Sequence, residues 1–300
     1  MPEPERTLVM TGATSGIGAH ALARLTARPG TRAIIGARPS ATRVTLAGVE
    51  TLPLDLASFA EVRAFAEAVL DRLNGEKIDM LVLNAGAQFR DTSGRSADGY
   101  ELTFAVNHLA HYLLARLLLP AVAEGGRIVI TTSDTHDPRV LRAAPTRLEV
   151  DRWARTPGSA TSAYAASKLG NLLTAEGIAS LAETAQRRIT VIAYNPGLTG
   201  GTGLQRDFPA PLRLVFRALR PVFILLSRLR PQLYMSTPEH AGDVLAQLAN
   251  GTLTPPQGRV YASLVRGQLT YPDPSALAQD PAARDQMWRE SADLTGLADR

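Results

Sequence analysis

The sequence predicts an α/β fold, a doubly wound parallel sheet formed as a single domain over residues 1–300. Three observations predict it. Short β-branched runs alternate with longer helical patterns through the first two thirds of the chain. Those runs are nearly continuous in Val, Ile and Leu, as strands covered on both faces must be. The first run passes through a glycine turn straight into a helix, the connection that puts a ligand beyond the carboxyl ends of such strands.

The elements follow in order. Thr7–Thr11 reads as a strand, and a helix runs from the glycine turn to about Arg28. Arg32–Ala37 and a stretch near Val49–Leu54 read as the next two strands. A helix covers Ser58–Leu73, with Ser58 supplying the N-cap oxygen. Ile78–Asn84 is a buried strand, and a long helix from Asp98 to about Leu119 is stopped by Pro120. Arg127–Ser133 is a strand, Ser162–Glu183 a helix, Ile189–Asn195 a strand, and Gly258–Leu264 the last strand. Two segments interrupt the rhythm. Residues 134–163 form a long insert with several Pro, Gly and Arg, and residues 200–237 follow the sixth strand with no acidic residue between Asp207 and Glu239.

Composition bounds the function. Apolar residues at 45% and charged residues at 20% suit a packed core, which excludes a disordered or fibrous chain. With no cysteine, a disulfide framework, a thiolate zinc site, an iron–sulfur cluster and a cysteine nucleophile are all excluded. The net charge is +4, yet Lys77 and Lys168 are the only lysines, so 30 of the 32 basic residues are arginine. These arginines are scattered rather than clustered, which argues against a nucleic-acid partner. The polar, acidic start Met1–Arg6 does not read as a secretory signal. No apolar run is seen to approach the ~20 residues that span a bilayer. The expectation is a cytoplasmic protein acting on a small molecule, as a monomer or a homo-oligomer.

The chemistry lies in motifs at strand ends. In Thr11-Gly12-Ala13-Thr14-Ser15-Gly16-Ile17-Gly18, glycines allow a tight turn and let backbone N–H groups approach a pyrophosphate at a helix N-terminus. Tyr164 and Lys168 stand at i, i+4, which places both side chains on one helix face. An ammonium there favours phenolate over phenol and is expected to pull the Tyr164 pKa down from about 10, the tuning an acid/base at neutral pH needs.

Taken in order, the motifs resemble those of the short-chain dehydrogenase/reductase superfamily, over about residues 6–200. The glycine turn has the spacing G-x-x-x-G-x-G. Asp55 and Leu56 follow the third strand, Asn84-Ala85-Gly86 ends the fourth, and Asn107 sits on the long helix. Ser133 closes the fifth strand, Tyr164-Ala165-Ala166-Ser167-Lys168 matches Y-x-x-x-K, and Asn195-Pro196-Gly197 precedes Thr199. The resemblance implies a Rossmann fold with a nicotinamide cofactor and carbonyl–alcohol hydride transfer. It assigns Gly12, Thr14, Ser15, Gly16, Ile17, Gly18, Asp55, Leu56, Asn84, Ala85, Gly86, Pro196, Gly197 and Thr199 to the cofactor, with Tyr164 and Lys168 sharing in it. Tyr164 is implied as the acid/base, Lys168 as the ribose ligand and Ser133 as the group that polarises the substrate oxygen. Asn107 is implied as the holder of a water between Lys168 and solvent. Thr131 and Thr132 are the other hydroxyls in reach, and no metal is required.

Ala37-Arg38 ends the second strand, where an NAD site carries an acidic residue. No Asp or Glu lies between Thr7 and Val49, and an arginine there pairs with a 2′-phosphate, so NADP(H) is the expected cofactor. The 31-residue step from Ser133 to Tyr164 and the stretch Asn107-His108-Leu109-Ala110-His111 resemble the branch holding retinol dehydrogenases and protochlorophyllide reductases. The expected substrate is a bulky apolar ketone, aldehyde or alcohol, polyketide-, retinoid- or steroid-like. The alternatives are a non-catalytic NADP(H)-binding regulator and a C=C reductase. The second of these lacks the cysteine donor of protochlorophyllide reductase. His136 is read either as a wall of the substrate cleft or as a solvated loop residue, and Trp153 as a pocket wall or a loop pin. His108 and His111 are read as packing or surface residues. Residues 200–237 are read as a helical lid over the substrate; two packed helices or an interfacial pair against a membrane are the other readings.

Overall fold

The computed structural model describes residues 6–42, 44–200 and 234–297. Eight strands form one sheet in the order β3-β2-β1-β4-β5-β6-β7-β8: β1 Arg6–Thr11, β2 Thr31–Ala37, β3 Val49–Pro53, β4 Ile78–Leu83, β5 Val122–Thr131, β6 Thr190–Asn195, β7 Tyr261–Val265 and β8 Gln268–Thr270. The first seven are mutually parallel and β8 runs antiparallel to β7. The chain crosses from β3 back past β1 to β4, so the strand order reverses between β1 and β4, and their carboxyl ends open a crevice there.

Side chains alternate across the sheet. Val9, Leu81, Leu83, Ile128 and Ile130 enter one core, while Leu8, Met10, Met80, Val82 and Val129 enter the other. The first core is closed by α2 (Phe59–Leu73), α4 (Ala110–Leu118) and α6 (Ala160–Ser180). The second is closed by α1 (Gly16–Thr26) and α8 (Pro238–Asn250). Ser58 caps α2 as expected, accepting from the Glu61 N–H.

The long helix differs from its expectation. It begins as α3 (Leu102–Phe104), continues through a π-helical turn over Ala105–Leu109 and resumes as α4. Glu101 supplies the cap, its carboxylate accepting from the Thr103 and Phe104 N–H groups, so the start falls after Asp98. The helical stretch Leu102–Ala121 is long and apolar enough to cross a membrane by length and composition, which corrects the expectation that no run approaches that size. Its apolar window is 78% buried inside the fold, and core packing accounts for its composition.

The insert contains α5 (Val150–Arg155), and α7 (Ala182–Gln186) follows α6. Beyond β8 a helix α9 (Pro281–Thr295) lies against α4 and α6. α6 is buried along most of its length, because the sheet, α5 and α9 surround it.

Candidate active site

The crevice holds a cavity of about 800 Å³, within the usual size range for a cofactor site. Its floor is the glycine turn. Gly12 has φ +66°, open to glycine and strained for other residues, and a Cβ added there would lie 2.6 Å from the Ala85 backbone. A Cβ on Gly18 would meet the Gly12 carbonyl oxygen at 1.9 Å. Side chains are thus kept out of the place where the chain turns into α1. Ser15 makes no cap bond and the first turn carries no acidic residue, so the helix opens on the cavity with free N–H groups and a positive dipole end. This donor set suits a pyrophosphate.

Asn84 ties the floor to the next strands. Its amide nitrogen donates to the Gly12 carbonyl at 3.2 Å and its oxygen accepts from the Thr131 hydroxyl at 3.1 Å. Thr11 Oγ1 accepts from the Asn84 and Ala85 N–H groups at 3.1 and 3.2 Å. On the far side, Gly197 turns with φ +66°, its N–H held by Asn195 Oδ1 at 3.0 Å, and Thr199 donates to the Pro196 carbonyl. Gly12, Thr14, Ser15, Gly16, Ile17, Gly18, Arg38, Asp55, Leu56, Asn84, Ala85, Gly86, Pro196, Gly197 and Thr199 all line the cavity. Arg38 is exposed at the end of β2, and among the described residues its guanidinium has no ion pair.

Ser133, Tyr164 and Lys168 line the opposite wall. Lys168 is 2% exposed and donates to the Thr131 carbonyl at 3.3 Å, while Thr132 donates to the Lys168 carbonyl at 2.6 Å, pinning α6 to the end of β5. With little water to solvate its charge, burial lowers Lys168 to about 8. The expected lowering of Tyr164 is overturned. Burial, and then the Asp134 carboxylate, push the phenol above its ordinary value, against a smaller downward pull from Ser133. The Lys168 ammonium, 5.5 Å from the Tyr164 ring centre, is directed at Thr131 instead.

Asn107 lies in the middle of the π turn, fully buried and outside the cavity lining. Its side chain is used structurally: Nδ2 donates to the Ala87 carbonyl and to Ser167 Oγ, and Oδ1 accepts from the Ala87 N–H. Its main-chain carbonyl accepts from His111 Nδ1 at 2.9 Å, leaving one lone pair. That bond fixes the proton of His111 on Nδ1, so its Nε2 accepts from Thr11 Oγ1, also at 2.9 Å. Burial lowers His111 to about 4, so it is neutral at physiological pH. The imidazole joins the end of β1 to Asn107.

The remaining candidates divide. His136 is 1% exposed and outside the cavity lining: Nδ1 bonds the Ser133 carbonyl at 2.6 Å, Nε2 accepts from the Ser275 N–H at 3.3 Å, and the ring stands edge-on to Tyr261. It is neither a cleft wall nor a solvated residue; it clasps the loop after β5 to the carboxyl-terminal segment. Trp153 is the pin, buried edge-on against Phe104. His108 and His111 are both buried. The lid read over residues 200–237 falls largely on 201–233, outside the described residues; at its base Gly200 and Ser236 are bonded, with Ser236 also held by Leu198.

The sequence reading missed several cavity residues. Ser40, Ala41 and Thr42 adjoin Arg38 with no distinctive pattern. Phe89, Leu102 and Val106 form an apolar side, and the i, i+4 spacing of the last two just before Asn107 was a usable signal.

The family model for short chain dehydrogenases matches residues 6–144. The chain is 34% identical to dehydrogenase/reductase SDR family member 13 of Bos taurus, over 97% of this chain and 74% of that one. It is 30% identical to polyprenol dehydrogenase of Mus musculus, over 98% of this chain and 85% of that one. The fold matches a solved protein of Mycobacterium paratuberculosis with TM-score 0.70 and 25% identity, covering 98% and 94% of the two chains. It also matches a short chain dehydrogenase of Burkholderia cenocepacia solved in complex with NADP, with TM-score 0.56 and 25% identity, covering 82% and 90%. On these similarities along its whole length, the chain belongs to the short-chain dehydrogenase/reductase superfamily, oxidoreductases that work with a nicotinamide cofactor.

Proposed function

We propose that the protein is an NADP(H)-dependent oxidoreductase that interconverts a carbonyl and an alcohol on a bulky apolar molecule. The observation that carries this reading is one continuous cavity with the glycine cradle at one end and Ser133, Tyr164 and Lys168 at the other. When bound, the nicotinamide supplies or accepts the hydride. The chain's own residues do the rest. The Gly12–Gly18 backbone and the start of α1 would hold the pyrophosphate, and Arg38 would take the 2′-phosphate, in a chain with no Asp or Glu between Thr7 and Val49. Ser133 donates a hydrogen bond to the substrate oxygen, and Tyr164, held as a phenol, delivers the proton that completes the alcohol. In the reverse direction the Tyr164 phenolate removes it. Lys168 keeps a cation behind the phenol.

Phe89, Leu102 and Val106 give the cavity an apolar flank for the substrate. The similarity to a polyprenol dehydrogenase supports a large apolar alcohol or carbonyl, and the NADP complex of the Burkholderia relative supports the cofactor choice. The buried character of Leu102–Ala121 supports a core helix there rather than a membrane span, and a cytoplasmic location is part of the proposal. The test is NADPH oxidation, followed by absorbance, with retinal, citral and trans-decalone, with Tyr164→Phe alongside. Oxidation that disappears in the variant supports the reading. Turnover that survives the substitution overturns the assigned acid.

A further inference from the structure

A buried chain of hydrogen bonds runs beneath the cavity, and one imidazole joins its two halves. Thr11 ends β1 and lines the cavity. Its Oγ1 accepts from the Asn84 and Ala85 N–H groups at 3.1 and 3.2 Å and bonds His111 Nε2 at 2.9 Å. One helical turn before His111, the Asn107 carbonyl meets its Nδ1, also at 2.9 Å. The Asn107 side chain holds both backbone groups of Ala87 and donates to Ser167 Oγ, which donates in turn to the Tyr164 carbonyl at 2.7 Å. Thr11, Asn107, His111 and Ser167 are each at most 1% exposed. The segment Asn84–Ala87 is thus clamped at its start by Thr11 and at its end by Asn107, and His111 bonds both clamps.

The protons of this chain have one consistent arrangement. A carbonyl oxygen only accepts, so His111 Nδ1 carries a hydrogen. Were Nε2 protonated as well, Thr11 Oγ1 would face three donors with two lone pairs. Nε2 is therefore bare, and the Thr11 hydroxyl gives its single proton to it. Both Thr11 lone pairs are then left for Asn84 and Ala85, and every donor and acceptor of the hydroxyl is used. Among the described residues the Thr11 proton has no other side-chain acceptor. Without His111 the hydroxyl must turn to give that proton elsewhere, and turning takes a lone pair from Asn84 or Ala85.

We propose that His111 is a positioning residue for nucleotide binding: its bare Nε2 fixes the Thr11 hydroxyl and, through it, the Asn84–Ala87 floor of the cavity. This deepens the reading of the crevice as a nicotinamide-nucleotide site and rests on it. It does not rest on the choice of NADP(H) or on the chemistry at Tyr164. His111 is outside the cavity lining and acts only through others, whereas Thr11, Asn84, Ala85, Gly86 and Ala87 all line it. The effect reaches the cradle because the Asn84 amide holds the Gly12 carbonyl at 3.2 Å, so a shift of Asn84 is passed to the turn that takes the pyrophosphate.

The two ends of the imidazole can be removed separately, since an asparagine amide takes the place of Nδ1 and a glutamine amide the place of Nε2. His111→Asn keeps the bond to Asn107 and loses the one to Thr11; His111→Gln does the reverse. Affinities of the full chain for NADPH and NADH are measured by fluorescence titration. His111→Asn is expected to weaken binding by about tenfold, the scale of a buried hydroxyl left without its acceptor, and His111→Gln to restore it to within about threefold of wild type. In a Thr11→Val background the two variants should bind alike, because the bond in which they differ is gone. A glutamine variant no better than the asparagine one, or an unchanged gap between them in that background, overturns the proposal. Side-chain 15N shifts read the tautomer in the wild type without any ligand, with His111 identified by its loss in His111→Gln. Hydrogen on Nδ1 and a bare Nε2 are expected, and hydrogen on Nε2 overturns the proposal even where a variant fails to fold. Wild type that binds NADH and not NADPH, with the same order among the variants, removes the NADP(H) reading and leaves this inference standing. Wild type that binds neither nucleotide removes the site reading and this inference with it.

Discussion

The two walls of the cavity are built on different principles. The wall formed by the ends of β1, β2 and β4 works through backbone: Gly12 and Gly18 exclude side chains, α1 presents N–H groups, and Asn84 staples the turn to its neighbours. The wall formed by β5, the insert and α6 works through side-chain protonation: burial and charge set Tyr164 above and Lys168 below their ordinary values. A backbone cradle depends on shape and dipole and is indifferent to pH. A cluster of phenol, ammonium and carboxylate depends on which neighbours are charged. Binding and chemistry are therefore separable by substitution, and the variants that follow test that separation.

The largest effect is expected from Tyr164→Phe, which removes the proton donor with little change in shape. It should cut carbonyl reduction by about a hundred- to ten-thousand-fold, with NADPH affinity by fluorescence titration nearly unchanged. Gly18→Ala should do the reverse. The new Cβ has no room beside the Gly12 carbonyl, so nucleotide affinity should fall by roughly thirtyfold or more, about 2 kcal/mol, measured by calorimetry with the melting temperature as control. Turnover lost without loss of affinity in that variant would break the comparison. Arg38→Asp sharpens it within the first wall: NADPH binding should weaken by roughly tenfold to a hundredfold, and NADH binding far less. Equal losses would remove the 2′-phosphate assignment. The smallest effect on the site is expected from His136→Ala. It leaves the buried Ser275 N–H unpaired and should cost about 1–3 kcal/mol of stability by denaturant titration, with NADPH affinity intact. A matching loss of affinity would return His136 to the cleft.

The same contrast explains what could be read from the amino-acid order. The first wall is local. Glycines at fixed spacing between a strand and a helix, Asn84-Ala85-Gly86 at a strand end and Ser58 as an N-cap are short-range signals, and each sits where its pattern placed it. The i, i+4 pair Tyr164/Lys168 is local too, and both line the cavity. The protonation state of that pair is not local. It depends on Asp134, brought against Ser133 by a short 3-10 turn, and on burial by sheet and helices distant in sequence. The phenol is therefore shifted opposite to the direction that spacing alone suggests. His136 and Trp153 mislead for a similar reason: each stands in an insert of loop-like composition, yet each is buried by partners far along the chain, Ser275 and Phe104. The π turn around Asn107 and the antiparallel β8 leave no periodic trace in so few residues. α8 and α9 were missed as elements, although Thr237 and Asp280 cap them with Pro238 and Pro281 just inside, a start signal present in the sequence.

The central claim is hydride transfer from NADPH to a carbonyl carbon at the Tyr164 wall. It is tested most directly by incubating the protein with retinal and NADPH deuterated at both C4 positions, then analysing the products by mass spectrometry. The account predicts retinol carrying a single deuterium, bound at the carbinol carbon, and none formed by Tyr164→Phe. Deuterium on a carbon of a reduced C=C bond, or labelled alcohol formed equally by Tyr164→Phe, would contradict it.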